Sequence, residues 1–394
     1  MPSCQTGADL SSGHDQAGEN KAGRLLAMLR RVKDFRAARG KTYNLDFVLA
    51  VAVAVVATLA GAANYRQIGR RAADLPQSLL AQLGAPYDHF GARYAAPSES
   101  TIRDVLTNID ADLLDLAVGA WLHDCATRDR DGDLVIALDG KVLRGAWTDK
   151  NKQVKLFAAM IHEEGVVVAQ TLVPDDTNEI TQVENLVKNL RYRRGKAVVT
   201  ADAAHTQFKT AILLRTRGID YVLTVKGNQP TLHRQVFERC LPLLQQTPSH
   251  EEEERSHGRI KRWAIWTTAA DGIRFPFART IAVIRREEFD LEGNRLTKEY
   301  AFIITSLRGW RATPAAIHTH VRRHWEIENE IHYTRDTAWR EDTCSAHTGN
   351  GPRNLSILRN LALGIFRLHG ATKIKATLEY IARDRTRALN FLIT

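Results

Sequence analysis

Asp139 and Asp202 are of a type and placement that could do chemistry: Asp139 closes the apolar run LVIALDG, with a glycine directly after it, and Asp202 closes AVVTADA. A carboxylate at the carboxyl end of an otherwise apolar strand stands where open α/β sheets place their ligand sites. Taken singly, each has the setting of an ordinary turn or cap aspartate. As a pair at matching strand ends they are predicted to converge, provided that the two strands are neighbours. Carboxylates that meet in this way suit hard divalent cations, Mg²⁺ first and Mn²⁺ as its substitute, because all the ligands are oxygens and no Cys or His cluster is spaced for zinc. Seating two such ions at the ~4 Å separation of phosphodiester chemistry needs a third acid.

The stretch PAAIHTHVRRHWEIENEIHYTRD supplies it. Read as one helix, it carries Ile317, Val321, Ile327 and Ile331 as an apolar stripe, while His324, Glu328 and Arg335 share another face. Glu326 and Glu330 point elsewhere and read as surface charges. On spacing alone Glu328 stands level with a plain helix-surface glutamate, and a shift of one turn would select a different acid.

The elements that must position these acids follow from periodicity. Up to about residue 130 the pattern is helical, and in PSESTIRDVLTNID a cap at Ser98 or Ser100 would start a helix that turns Ile102, Val105 and Leu106 inward and Arg103 and Asp104 outward. Short helices around such a turn fit a helix-turn-helix or a simple bundle. From residue 133 the period changes. DLVIAL, KLFAAMI and GVVVAQTLV read as three strands, EITQVENLVKNL as a helix, AVVTAD as a strand, FKTAILLRTRG as a helix and DYVLTVKG as a strand. That element order is the order of an RNase-H-like mixed α/β sheet covered by helices, and it would make the first and fourth strands neighbours. Residues 230–305 read as a β-rich insertion, in which RIKRWAIWTT, FARTIAVIRR and EYAFIITSL follow an acidic run, Glu251–Glu254, expected to be solvated surface.

The chain has 394 residues, too many for one usual core, and divides into a loose polar tail at 1–22, a helical unit at 23–130 and a catalytic unit at 131–394. With 44% hydrophobic and 25% charged residues it is ordinary globular material, not a disordered or fibrous chain. The net charge of +10 favours an anionic partner such as nucleic acid. Four cysteines without CxxC spacing indicate neither a zinc cage nor a disulfide framework, and a reducing cytoplasm fits them best. The uncharged segment 47–63 is rich in alanine and shorter than the ~20 residues of a helical span, so a buried helix is expected and no membrane partner.

The runs VIALDGKVLRGA, DTNEITQVENLVKNL, VVTADAAHTQ, DYVLTVKGNQP, SHGRI and RRHWEIENEIHYTRDTAWRED, in this order, resemble the successive motifs of the H-repeat-associated, ISAs-type insertion-sequence transposases of the DDE superfamily. The resemblance extends from about residue 20 to 370 and implies an RNase-H-like core in which Asp139, Asp202 and Glu328 are the catalytic, metal-binding acids. It also implies a transposase-associated helical domain before that core, a homo-oligomer that processes two DNA ends together, and a bacterial, nucleoid-associated location. Related DDE transposases place a Tyr and an Arg before the Glu where this chain has Val321 and His324, and Arg335 stands at the position of a Lys. An acidic residue commonly follows the His-Gly-Arg motif two places on, where this chain has Lys261.

Around the acids, Lys141 and Arg144 after Asp139, Lys226 and Asn228 after the fifth strand, and His205 and Gln207 after Asp202 are candidate phosphate contacts, each weighed against ordinary surface polarity. His324 and Arg335 complete the candidate DNA contacts, although a histidine beside Trp325 is more often packed within the fold, and Trp325 itself reads as core or interface. KGNQP lacks the pattern of a nucleotide-binding phosphate loop. The expected function is Mg²⁺-dependent cleavage of element ends and joining of the freed 3′-hydroxyls to target DNA. An inactive DNA-binding descendant and a metal-dependent nuclease that does not join strands are the alternatives.

Overall fold

A computed structural model describes residues 26–37, 41–58, 64–148, 150–256, 258–388 and 391. The polar stretch 1–22, residues 59–63 of the apolar segment and His257 of the His-Gly-Arg motif lie outside them.

The helical region comprises α1 (Leu45–Thr58), α2 (Tyr65–Ala73), α3 (Gln77–Gln82), a two-stranded ribbon of β1 (Tyr87–Asp88) and β2 (Arg93–Tyr94), α4 (Glu99–Asn108) and α5 (Ala111–Ala126). Ser98 caps α4 by accepting from the Thr101 N–H at 3.2 Å, and Ile102, Val105 and Leu106 are fully buried, as the spacing predicts. Residues 47–52 of α1 are buried inside the protein, and among the described residues no helix is long and apolar enough to cross a membrane.

The sheet is built from β3 (Leu134–Trp147), β4 (Gln153–Ile161), β5 (Val166–Val173), β6 (Ala197–Ala201), β7 (Ile219–Val225), β8 (His250–Ser256), β9 (Arg259–Ala269), β10 (Thr280–Phe289) and β11 (Arg295–Thr305). Its order is β5-β4-β3-β6-β7-β11-β10-β9-β8, so the first and fourth strands of the α/β segment are neighbours. β3, β4 and β5 form an antiparallel meander, β3-β6 and β6-β7 pair in parallel, and β11 returns antiparallel to β7. The strands of the 230–305 segment therefore extend the main sheet. The acidic run forms the edge strand β8 and stays solvated as expected on one face, where Glu251 and Glu253 are exposed, while Glu252 and Glu254, partly exposed, turn toward a helix and pair with its Arg322.

Helices α6 (Glu179–Lys188), α7 (Phe208–Thr216) and α8 (Pro230–Cys240) pack on one side of the sheet. α9 (Pro314–His324) crosses β6, β7 and β9 on the other. Alternation along β6 serves both layers: Ala197, Val199 and Ala201 join the main core, while Val198 meets a second cluster with Val222, Trp263, Ile265 and Ile317. After α9 come a π-helical turn (Ile327–His332), α10 (Tyr333–Trp339), α11 (Gly351–Leu368) and α12 (Ile374–Arg383). α11 packs against α1, α5 and β5, and one continuous apolar cluster from Met28 to Ala388 unites the helical region with the sheet. α5 lies so close to β5 that a Cβ on Gly119 would stand 2.1 Å from the Val168 carbonyl oxygen.

Candidate active site

Parallel pairing between β3 and β6 ends at Leu138↔Ala201, and Asp139 and Asp202 are the next residue on each strand. Neighbouring strands lie about 4.8 Å apart, which brings two carboxylates remote in the chain to one place. Asp139 does not close its strand as the sequence suggests. β3 continues to Trp147 because β4 keeps pairing with it, with Asp139 opposite Ala158, after β6 has turned away. Asp202 does end β6, where its Oδ1 accepts from the Ala204 N–H at 3.0 Å and caps the short turn Ala203–His205.

Glu328 arrives on the π-helical turn, which packs against β3. Burial pushes the Asp139 carboxyl up to about 7, and the negative charge of Glu328 adds to this, followed by those of Glu179 and Asp202. Four acids thus act on one locus, a field relieved by a proton on Asp139 or by a bound cation. His332, on the same turn, sets Nδ1 3.5 Å from Asp139 Oδ2, and burial holds its ring neutral with a pKa pushed down to about 3.

Glu179 is the acid that sequence reasoning missed. It opens α6 inside the DTNEIT motif, and its carboxylate occupies the space a side chain on Gly140 would take: a Cβ there would stand 1.8 Å from Glu179 Oε1. His205 is buried, stacks on Phe157 at 4.8 Å and sets Nε2 3.6 Å from Glu179 Oε2 and 4.0 Å from Asp202 Oδ1. The glycine after Asp139 was the available signal, since it marks a close approach. Gly140→Ala is expected to displace Glu179 and with it the field on Asp139. Metal-dependent activity should fall at least about tenfold while the thermal midpoint moves little, and an unchanged rate would show that Glu179 is a bystander.

The expected ring of DNA contacts divides. Arg144, with its side chain 78% exposed, and exposed Lys226 stand on the surface. Asn228 is exposed but donates to the Ala203 carbonyl at 2.7 Å, and Gln207 is held between the Ala204 carbonyl and Gln229, so both tie the two strand-end loops together. Three expectations are corrected. Lys141 is buried and donates to Asp336 Oδ2 at 2.6 Å; His205 is buried among the acids; and Arg335 is 1% exposed, donating Nε to Glu341 Oε2 at 2.8 Å and Nη1 to Asn360 Oδ1 at 2.8 Å. None of the three faces solvent.

The π-helical turn explains the error for Arg335. One extra residue in a turn rotates everything after it, so Arg335 leaves the face of Glu328 and enters the core beside α11, while His332 takes the place facing Asp139. His324 is likewise engaged within the fold, with Nδ1 3.0 Å from Thr200 Oγ1, an oxygen it shares with His162 Nε2 at 2.9 Å. Burial lowers the His324 pKa to about 4, so it packs as a neutral ring against β6. Trp325 is neither core nor covered: it is 53% exposed next to the turn that carries Glu328.

Comparison with known proteins agrees with this arrangement at the level of family. The model of the family described as Transposase DDE domain matches residues 130–365, and one described as DDE_Tnp_1-associated matches residues 26–122. The chain is 29% identical over 284 residues to the "H repeat-associated putative transposase YhhI" of Escherichia coli K12, covering 68% of this chain and 73% of that protein. It is 27% identical over 358 residues to YbfL of the same organism, covering 87% and 90%. A piggyBac transposase in a synaptic complex with hairpin DNA aligns over 94% of this chain and 78% of the other, with 11% identity and a TM-score of 0.41.

Proposed function

Since this chain belongs to the DDE transposases, of the H-repeat-associated, ISAs type, we propose that it cleaves the ends of an insertion sequence and joins the freed 3′-hydroxyls to target DNA. The observation that carries the proposal is that Asp139 and Asp202 follow the last paired residues of β3 and β6, with the charge of Glu328 among those that raise the pKa of Asp139. In this reading the sheet β5-β4-β3-β6-β7 is an RNase-H-like core, residues 131–394 are the catalytic unit and residues 23–130 the associated helical domain.

The donor set fits Mg²⁺ or Mn²⁺: the converging ligands are carboxylate oxygens, and Gly140 leaves room for a fourth. When bound, such ions supply Lewis-acid activation of the attacking oxygen and charge stabilisation of the leaving one. The chain's own residues do the positioning. Asp139, fixed by β3 and approached by the other acids, would hold the cations together with Asp202 and Glu328. Neutral His332 keeps a cationic charge away from Asp139, and buried His205 stands beside the carboxylates of Glu179 and Asp202. Exposed Arg144 and Lys226 would take phosphates of the DNA, whose affinity should then fall steeply with salt. Two ends must be processed together, so the working form is a homo-oligomer on DNA of the bacterial nucleoid.

A labelled element end incubated with the protein and plasmid target tests this reading. Nicked ends and covalently joined target are expected in Mg²⁺ or Mn²⁺, and neither is expected in EDTA. Cleavage without joined product would reduce the protein to a nuclease; binding without cleavage would make it a DNA-binding descendant.

A further inference from the structure

A second group of ligand-type side chains lies away from the acids, where edge strand β8 meets α9. His250 and Glu252 are two residues apart on β8 and therefore share a face, and that face looks onto His318 of α9. One donor atom from each of the three comes within 4.8 Å of the others. The His250 and His318 rings stand 5.8 Å apart between centroids, and Trp263 of β9 closes one side at 5.9 Å from His318.

His318 is the informative member. It is 1% exposed, and neither of its ring nitrogens has a hydrogen-bond partner. Its Nδ1 lies 3.1 Å from Glu252 Oε2 without the alignment of a hydrogen bond. A buried polar atom left in this state is costly and calls for an explanation. An imidazole nitrogen and a carboxylate oxygen 3.1 Å apart stand near the spacing of two ligands on one tetrahedral ion.

The carboxylate is already oriented for one. Arg322, one turn after His318, donates to Glu252 Oε1 and Glu254 Oε2 and stacks 4.3 Å above Trp263, which leaves Glu252 Oε2 turned to the histidine. Holding a ligating carboxylate by its other oxygen is the usual work of an outer partner.

We propose that His250, Glu252 and His318 form a transition-metal site of the zinc class that pins edge strand β8 to α9. Two imidazoles and one carboxylate select Zn²⁺-like ions over Mg²⁺, and three protein ligands leave a fourth position for water. Ligands at about 2.0–2.2 Å from such an ion stand about 3.4 Å from one another, so small side-chain rotations close the group. The ion would shield an open sheet edge and anchor the helix whose C-terminal end leads into the turn carrying Glu328. It is separate from the acid site in ligand type and in place.

The test uses the full chain with Asp139→Asn, Asp202→Asn and Glu328→Gln, so that the acid site does not contribute. Equilibrium dialysis should find one equivalent of Zn²⁺ retained against excess Mg²⁺, and Co²⁺ should give visible ligand-field absorption. His318 is buried, so the discriminating changes are His250→Ala and Glu252→Gln in the same background, with folding checked by circular dichroism. Each should weaken Zn²⁺ binding at least about tenfold. Equal zinc affinity in these variants, displacement by Mg²⁺, or no zinc uptake by the parent would overturn the proposal.

Discussion

Asp139→Asn protein is expected to bind element ends as the parent does and to cleave them on the order of 10³-fold more slowly or worse, in Mg²⁺ and in Mn²⁺ alike. The amide keeps the shape of the side chain but removes the charge on which burial and three neighbouring acids converge. Losing that repulsion should not harm folding. The thermal midpoint is expected to hold or rise, because an acid crowded by like charges costs stability when ionised. Asp202→Asn and Glu328→Gln should lose cleavage similarly. A gel that scores nicked and joined products against a mobility-shift assay for binding separates the two effects. Full cleavage by any of the three variants would remove that residue from the acid site.

Glu341→Gln is expected to destabilise the protein by about 3–5 kcal/mol, the usual cost of removing one partner from a buried ion network. Glu341 is 1% exposed and accepts from Arg335 and Arg359, with Lys141 Nζ at 4.0 Å. Burial works to raise its pKa, but Arg335, Arg359 and Lys141 outweigh it and hold the carboxyl down at about 2 against an ordinary 4.5. The sign of the pH effect follows. A depressed folded-state pKa means that the stabilisation is complete above pH 4.5 and is lost as pH falls through about 2. Urea midpoints of parent and variant should therefore differ most near neutrality and converge as acid is added. A constant difference across that range would show that the loss comes from packing and not from charge.

The same network bears on the acid site. Lys141 stands two residues after Asp139 on β3 and pairs with Asp336 and Asp342, while Arg335 anchors α10 to α11 through Asn360. These contacts hold the segment after the π-helical turn against β3. Charges that looked from the sequence like a surface for phosphate instead brace the turn that presents Glu328. A buried network of this kind is a poor source of net stability and a good source of a single defined arrangement, and that is the quality an acid site needs.

What the sequence by itself determined was local. Short apolar runs between polar or glycine turns located β3 to β7, helical spacing located α4 and α6, and an aspartate at the end of AVVTA marked the end of β6. Strands buried on both faces read as unbroken apolar runs, and a helix buried on one face marks every third or fourth residue, so these elements were legible without a structure. Only the tertiary structure decided which charged groups face solvent and which face one another. Lys141 and Asp336 are 195 positions apart, and Glu179 meets the Asp139 strand only because β3 and the start of α6 fold together at Gly140. No residue pattern announced the π-helical turn, since one additional residue in a helix leaves composition unchanged while rotating every later side chain. That rotation carried Arg335 inward and His332 toward Asp139. Pairing across long chain separations depends on strand order and helix register together, which is why the acids could be named in advance and their surroundings could not.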